Sequence, residues 1–401
     1  MSVAVGRRVA QWRVRRRMTQ QVFADRIGRS KSWVDKVERG VRTLDRFSLI
    51  KQVAEVLRVD PAELLGDDSE PQLGAASAGV DAARAALACY DVFTTSPAGA
   101  SPTLPGEVAR RVEHAWSTYR HGDYPRLLRT VPELLDAAQR SHTTRPEEGA
   151  VLLTRAYQVT ALVLVKVGEA ELAWLAADRA VATAGTDRLL AASAVVPLGQ
   201  ALRGLGQGRL AMAAAVTAAD RIAVSTDARA TPPGRAVYGT LLVQAGLAAA
   251  SCGDTHSVTE LLRQAADVAG QVGDGKDYRA ASFGPAAVEL AHVVAAVELG
   301  DGRQAIRLHE SATSRQLWQM LPAEHRAAYM VDAARAHLDG GDFTGAGRWL
   351  VEADRVAPAE IRCRPSVRTV VAEVARCGPQ VAGVARLATA LGLTTSPPRA
   401  G

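Results

Sequence analysis

Residues 18–40 read Met-Thr-Gln-Gln-Val-Phe-Ala-Asp-Arg-Ile-Gly-Arg-Ser-Lys-Ser-Trp-Val-Asp-Lys-Val-Glu-Arg-Gly. Thr19 is an N-cap for a short helix over residues 20–27, with Val22, Phe23 and Ile27 as its inward side chains. Gly28 stops that helix, because glycine enters the left-handed cap without steric cost. Ser30 caps the next helix, residues 31–39, on which Val34 and Val37 stand three apart, and Gly40 ends it. Upstream, Val5, Val9, Trp12 and Met18 keep near-helical spacing and make residues 3–17 a first helix. Downstream, residues 47–57 form a fourth helix, and Asp60 followed by Pro61 opens a short fifth.

Two short helices joined by a glycine turn, inside a five-helix unit of about 65 residues, describe a helix-turn-helix. The charge distribution fits that reading. Residues 1–68 hold 15 Lys/Arg and 9 Asp/Glu, whereas the remainder holds 33 of each, so the whole net charge of +6 lies in the first sixth of the chain. A compact basic module on a neutral body is suited to a polyanion. With Val34 and Val37 inward, Lys31, Ser32, Asp35 and Lys36 point outward. Lys31, Ser32 and Lys36 then become base-contacting candidates, since a major groove offers guanine O6 and N7 to lysine. Trp33 has two readings, a contact to a thymine methyl or sugar edge, and a cover for the Arg39 stem. Asp35 would repel phosphate and is read as pairing with Arg39 four residues on.

The Thr-Gln opening, the spacing of Ala24 and Gly28, the Ser-x-Ser turn and the closing Glu-Arg-Gly resemble the helix-turn-helix of the phage-repressor-like (Xre) family, over residues 5–66. The resemblance implies that Arg13 pairs with Glu38 as a structural pair. It also implies that Gln20, Ser30, Arg42 and Arg46 touch phosphates. Such contacts set register and affinity, while Lys31, Ser32 and Lys36, with Trp33 in the first of its two readings, would specify sequence.

The body has a different composition. The chain is 48% apolar but only 4% aromatic, rich in alanine, with five lysines, 43 arginines and no asparagine. Alanine favours helices, and strands need β-branched and aromatic residues, so an all-α chain is expected. Residues 69–106 read as a linker with a bridging amphipathic helix over 80–93, and residues 395–401 as a tail. Across 107–394 one pattern recurs: a glycine, a small or apolar residue five later, and another seven after that. The instances are Gly122/Leu127/Leu134, Gly168/Ala173/Ala180, Gly206/Ala211/Ala218, Gly253/Val258/Ala265, Gly300/Ala305/Ala312 and Gly341/Ala346/Ala353. Each glycine turns one helix into an antiparallel partner, and the small residues let the pair approach. One pair cannot bury its apolar face, so pairs stack into an α-solenoid. The pattern resembles the tetratricopeptide repeat, and its last instance closes with Pro358.

Counting back from each glycine places Trp116, Tyr119, Arg155, Gln158, Lys166, Gln200, Arg203, Glu298, Arg335 and Asp339 on the concave face. Together they make a net-basic polar groove for an extended signalling peptide or an acidic small molecule. The two-part layout resembles regulators that sense signalling peptides, and more closely actinomycete regulators. In the former, groove asparagines hold the peptide; here Gln158 and Gln200 offer the same bidentate amide. In the latter, Phe-Gly-Pro continues with Thr-Asn, whereas this chain reads Phe283-Gly-Pro-Ala-Ala287; the Ala357-Pro358-x-x-x-Arg362 segment is intact.

No catalytic motif emerges. Gly204-Leu-Gly206-Gln-Gly208 follows a helix rather than a strand, and His309-Glu310 has Thr313 where a second histidine would stand. No cofactor or metal site is expected. Four scattered cysteines without a Cys-x-x-Cys pair read as buried thiols in a reducing cytoplasm. No signal peptide or membrane span is read from the sequence. The expected function is a dimeric, sequence-specific transcriptional regulator acting on double-stranded DNA at a palindromic operator. A ligand would act through its difference in affinity for two spacings of the DNA-binding heads. The alternative is an interaction scaffold whose repeats dock a partner protein.

Overall fold

In the computed structural model, contacts divide the chain into two units, Met1–Gly74 and Ala75–Gly401. The structure describes residues 6, 9–10, 12–14, 16, 18–39, 47–57, 59, 70–89, 105–223, 231–275, 282–314, 316–377 and 383–393. Arg42, Arg46, Gly40, the fifth head helix and the tail lie outside them. Every regular element among the described residues is helical.

The N-terminal unit contains α1 (Gln20–Arg26), α2 (Lys31–Glu38) and α3 (Phe47–Leu57), and the described residues 9–10 and 12–14 are helical too. Thr19 and Ser30 cap α1 and α2 by accepting N–H bonds from Val22 and Trp33, each at 3.2 Å. Gly28 turns between them at φ +64°. Val9, Phe23, Ala24, Ile27, Val34, Val53 and Leu57 form one small core. Val22, expected inward, is exposed, because its neighbours Phe23 and Ala24 already fill the buried face of this two-turn helix.

The second unit begins within α4 (Glu70–Ala88). This helix starts ten residues before the expected amphipathic stretch and ends within it. Its Val80, Ala83 and Leu87 belong to the body's core. Six helix pairs follow: α5 (Pro105–Arg120) with α6 (Tyr124–Thr144), α7 (Pro146–Lys166) with α8 (Ala170–Thr183), and α9 (Arg188–Gly204) with α10 (Gly208–Ala223). Then come α11 (Pro232–Ser251) with α12 (Thr255–Val272), α13 (Pro285–Glu298) with α14 (Gly302–Ser314), and α15 (Ala323–Asp339) with α16 (Phe343–Val356). Helices α17 (Pro358–Arg362), α18 (Pro365–Cys377) and α19 (Val384–Ala390) complete the unit.

All six repeat glycines take the left-handed conformation, with φ between +72° and +85°. The turn chemistry has a second half. Asp123, Asp254, Asp301 and Asp342, each directly after its glycine, accept the N–H three residues on at 2.8–3.2 Å and so cap the second helix. The small or apolar residues five and twelve positions after each glycine are all buried. By length and composition α7 alone among the described helices passes for a membrane span, but two-thirds of its apolar window lies inside the body.

The array curves until its ends meet. Helix α5 touches α15, and Ala359 and Cys363 enter the same core as Val108 and Leu127. A Cβ on Gly122 would stand 2.8 Å from the Cβ of Ala357, and one on Gly168 would stand 2.8 Å from Pro365, so the two first turns seat the C-terminal segment. The first helices line one concave cavity, on the face where the sequence placed the groove. Of the four cysteines only Cys363 is buried; Cys89, Cys252 and Cys377 sit at helix ends and are exposed.

Candidate functional site

The N-terminal unit presents the start of α2. With Val34 and Val37 buried, Lys31, Ser32 and Lys36 are exposed, and Asp35 and Arg39 pair at 3.3 Å. Trp33 is half-buried against the core, and the guanidinium of Arg29 lies 5.8 Å from its ring centre. Ser30 accepts the Trp33 N–H through one of its two lone pairs, and its O–H donates to no described residue. Arg13 Nε and Nη2 donate to the two carboxylate oxygens of Glu38 at 2.5 and 3.0 Å, and Nη1 donates to the Met18 carbonyl at 2.7 Å. Gln20 joins this pair, donating to Glu38 at 2.8 Å, and is therefore tied into the head's structure rather than held out toward a phosphate.

In the body, a cavity of about 550 Å³ is walled by the first helices of all six pairs and by α18. Of the residues expected on the concave face, Trp116, Tyr119, Gln158, Lys166, Gln200, Arg203, Glu298 and Arg335 line it. Two do not. Arg155 is held by Glu113 and covers Trp116 at 5.9 Å, and Asp339 is exposed at the end of α15.

One wall is an ionic cluster that sequence spacing alone did not reveal. Lys166 Nζ lies 2.5 Å from Glu324 and 2.6 Å from the fully buried Glu360. Arg364 reaches the other oxygen of Glu360 at 2.8 Å, Tyr124 donates to Glu360, and Tyr119 donates to Glu324 at 3.2 Å. Burial pushes the Glu360 carboxyl up, but Lys166 and Arg364 outweigh it and leave it well below the usual range. Burial likewise pulls the Lys166 ammonium down, and Glu324 and Glu360 overcome it. These groups bind the first two repeats to the last. The available signal was Glu360 inside the intact Ala-Pro-x-x-x-Arg segment, whose Arg362 pairs with Asp354 at 3.1 Å.

A second charged group stands beside it. Arg335 bonds Glu298 at 3.1 Å and Asp332 at 3.4 Å. Arg203 faces the same carboxylates; burial lowers its guanidinium, and Glu298 and Asp332 partly restore it. Arg120 and His325 also line the cavity, and the remaining wall is apolar or neutral, including Val196, Val237, Phe283 and Leu290. No group of three or more His, Cys, Asp or Glu among the described residues could hold a metal ion.

Residues 4–65 match the family model described as a helix-turn-helix domain, so the N-terminal unit carries one. No curated protein matches the chain. Two solved structures are similar to it at 12% identity. One is PlcR of Bacillus thuringiensis in complex with the peptide PapR7 and DNA, covering 90% of this chain and 99% of that one with a TM-score of 0.31. The other is aspartyl phosphate phosphatase F of Bacillus subtilis, covering 89% of this chain and 94% of that one with a TM-score of 0.41.

Proposed function

We propose that the chain is a homodimeric, sequence-specific transcriptional regulator of the Xre type, working in the cytoplasm on a palindromic operator, whose tetratricopeptide-like body senses a ligand in its cavity. The observation that carries this is the exposed Lys31, Ser32 and Lys36 along α2, inside a helix-turn-helix domain that holds the whole net charge. An α-helix fits the major groove, where Lys31 in the first turn of α2 and Lys36 in its last turn would offer donors to base edges. One short helix reads few base pairs, so two half-sites about 34–36 Å apart are needed. The body is assigned sensing rather than catalysis, because Lys166, Arg335 and Arg364 are taken up in ion pairs with its carboxylates.

The test is fluorescence anisotropy of the full chain on its own upstream DNA and on a shuffled duplex, across a salt series. Binding at least about a thousandfold tighter to one duplex is expected. The slope should be close to 0.9 log unit of affinity per phosphate contact for each tenfold rise in salt. Weak, equal binding to every genomic fragment tried, with no salt slope, would overturn the reading in favour of a protein-docking body.

A further inference from the structure

Helix α9 contributes an unusual strip to the cavity wall: Ser193, Val196, Pro197, Gln200, Arg203 and Gly204 all face it. These positions fall on one helical stripe about 16 Å long at roughly 1.5 Å per residue. Three of them bring bonding capacity that the fold does not consume. Pro197 stands inside the helix and has no N–H to give to the carbonyl of Ser193, four residues back. Gln200 makes no side-chain hydrogen bond to any described residue, although its neighbour in the wall, Gln158, bonds Ser193 at 2.9 Å. Arg203 makes neither a hydrogen bond nor an ion pair with any described residue, and its Nε is buried without a partner. The contrast with the other cations is informative. Lys166, Arg335 and Arg364 are each bonded to carboxylates of the wall, and the carboxylates nearest Arg203, Glu298 and Asp332, are engaged by Arg335.

We propose that α9 is the recognition element of the cavity, and that its ligand is an elongated apolar molecule with a free carboxylate at one end and an amide in its body. The carboxylate pairs with Arg203, the amide meets Gln200, and an amide N–H donates to the Ser193 carbonyl freed by Pro197. Val196, Val237, Phe283 and Leu290 receive the apolar part. A guanidinium offers a planar fork that matches a carboxylate, and a cavity of this size suits a drug-sized molecule. Both a short apolar peptide with a free C-terminus and an N-acyl amino acid carry this chemistry. The proposal rests on the ligand-sensing part of the functional reading and not on the DNA-binding part.

The test titrates five probes into the full chain and follows tryptophan fluorescence and heat: N-decanoylglycine, its C-terminal amide, the ester analogue O-decanoylglycolate, and the peptide Val-Leu-Val-Gly as acid and as amide. One acid or both should bind below about 1 mM, at least about tenfold tighter than the matching amide, the factor that one charged hydrogen bond supplies. Which acid binds distinguishes the two sources. In Arg203→Met the ratio of acid to amide affinity should fall to near one at an unchanged melting temperature, and Arg203→Lys should restore part of it. Pro197→Ala supplies the missing N–H and should erase any preference for decanoylglycine over its ester. The proposal is overturned if neither acid binds, if acid and amide bind alike, or if Arg203→Met keeps the discrimination. Specific DNA binding measured on the same preparations reports on the head alone, so a failure here is distinguishable from a failure of the regulator reading.

Discussion

Glu38 ends α2, and its two carboxylate oxygens take bonds from Arg13 and Gln20 while its side chain is 7% exposed. Replacing it with alanine strands the Arg13 guanidinium, so Glu38→Ala should destabilise the head by roughly 2–4 kcal/mol, read as an early transition in thermal unfolding. An unchanged melting curve would contradict the structural role. This pair was legible in the sequence through the family pattern, and the Asp35–Arg39 pair through its four-residue spacing. The surroundings of Trp33 were not. The cation over its ring comes from Arg29 in the preceding turn, and that choice depends on how α1 and α2 pack rather than on any helical spacing. Gln20 shows the same limit, because its partner lies 18 residues away on the next helix.

At the scale of the element, the glycine turns separate two effects that a single substitution can distinguish. Gly253 has φ +73° and nothing within 4 Å of a Cβ, so Gly253→Ala meets backbone strain alone, worth about 1 kcal/mol. Gly239 lies inside α11 with ordinary φ, but a Cβ there would stand 2.0 Å from the Phe283 ring. Gly239→Ala must push Phe283 off its seat in the cavity wall and should cost up to about 3 kcal/mol. Chemical denaturation of both variants checks the order; equal losses would show that Phe283 yields freely. The repeat glycines and their small partners were readable because turn and close packing are local demands. Helix boundaries were less so. The expected bridging helix over 80–93 instead runs Glu70–Ala88, since Val80, Ala83 and Leu87 dock on the first repeat and fix its course.

Closure of the array belongs to the whole molecule, and no local pattern announces it. Lys166 and Glu360 are 194 residues apart in sequence yet 2.6 Å apart in the fold. Lys166→Met leaves Glu360 buried with Arg364 and Tyr124 only, so body stability should drop by about 3 kcal/mol. The same interior sets an acid sensitivity. His309 is buried, bonded through Nδ1 to Tyr329 at 2.6 Å, and burial, with His337 adding to it, pushes its imidazole down to about 4. The unfolded imidazole titrates near 6.5, so the unfolded chain takes the proton first; stability is present above pH ~6.5 and is lost on the way down to about 4. Glu360 adds a loss below roughly pH 4.3, where the unfolded carboxyl takes its proton before the folded one. The body's melting temperature should therefore fall from pH 7 to 5, and His309→Phe should flatten that slope; a slope unchanged in the variant would remove His309 as its cause. The most direct test of the whole scheme is the ratio of operator to shuffled-DNA affinity in the wild type and in Lys31→Ala/Lys36→Ala, measured at about 0.15 M salt. The ratio should collapse in the double variant while the fold and the melting temperature stay intact. Equal loss of affinity on both duplexes, with the ratio preserved, would contradict the reader role of α2.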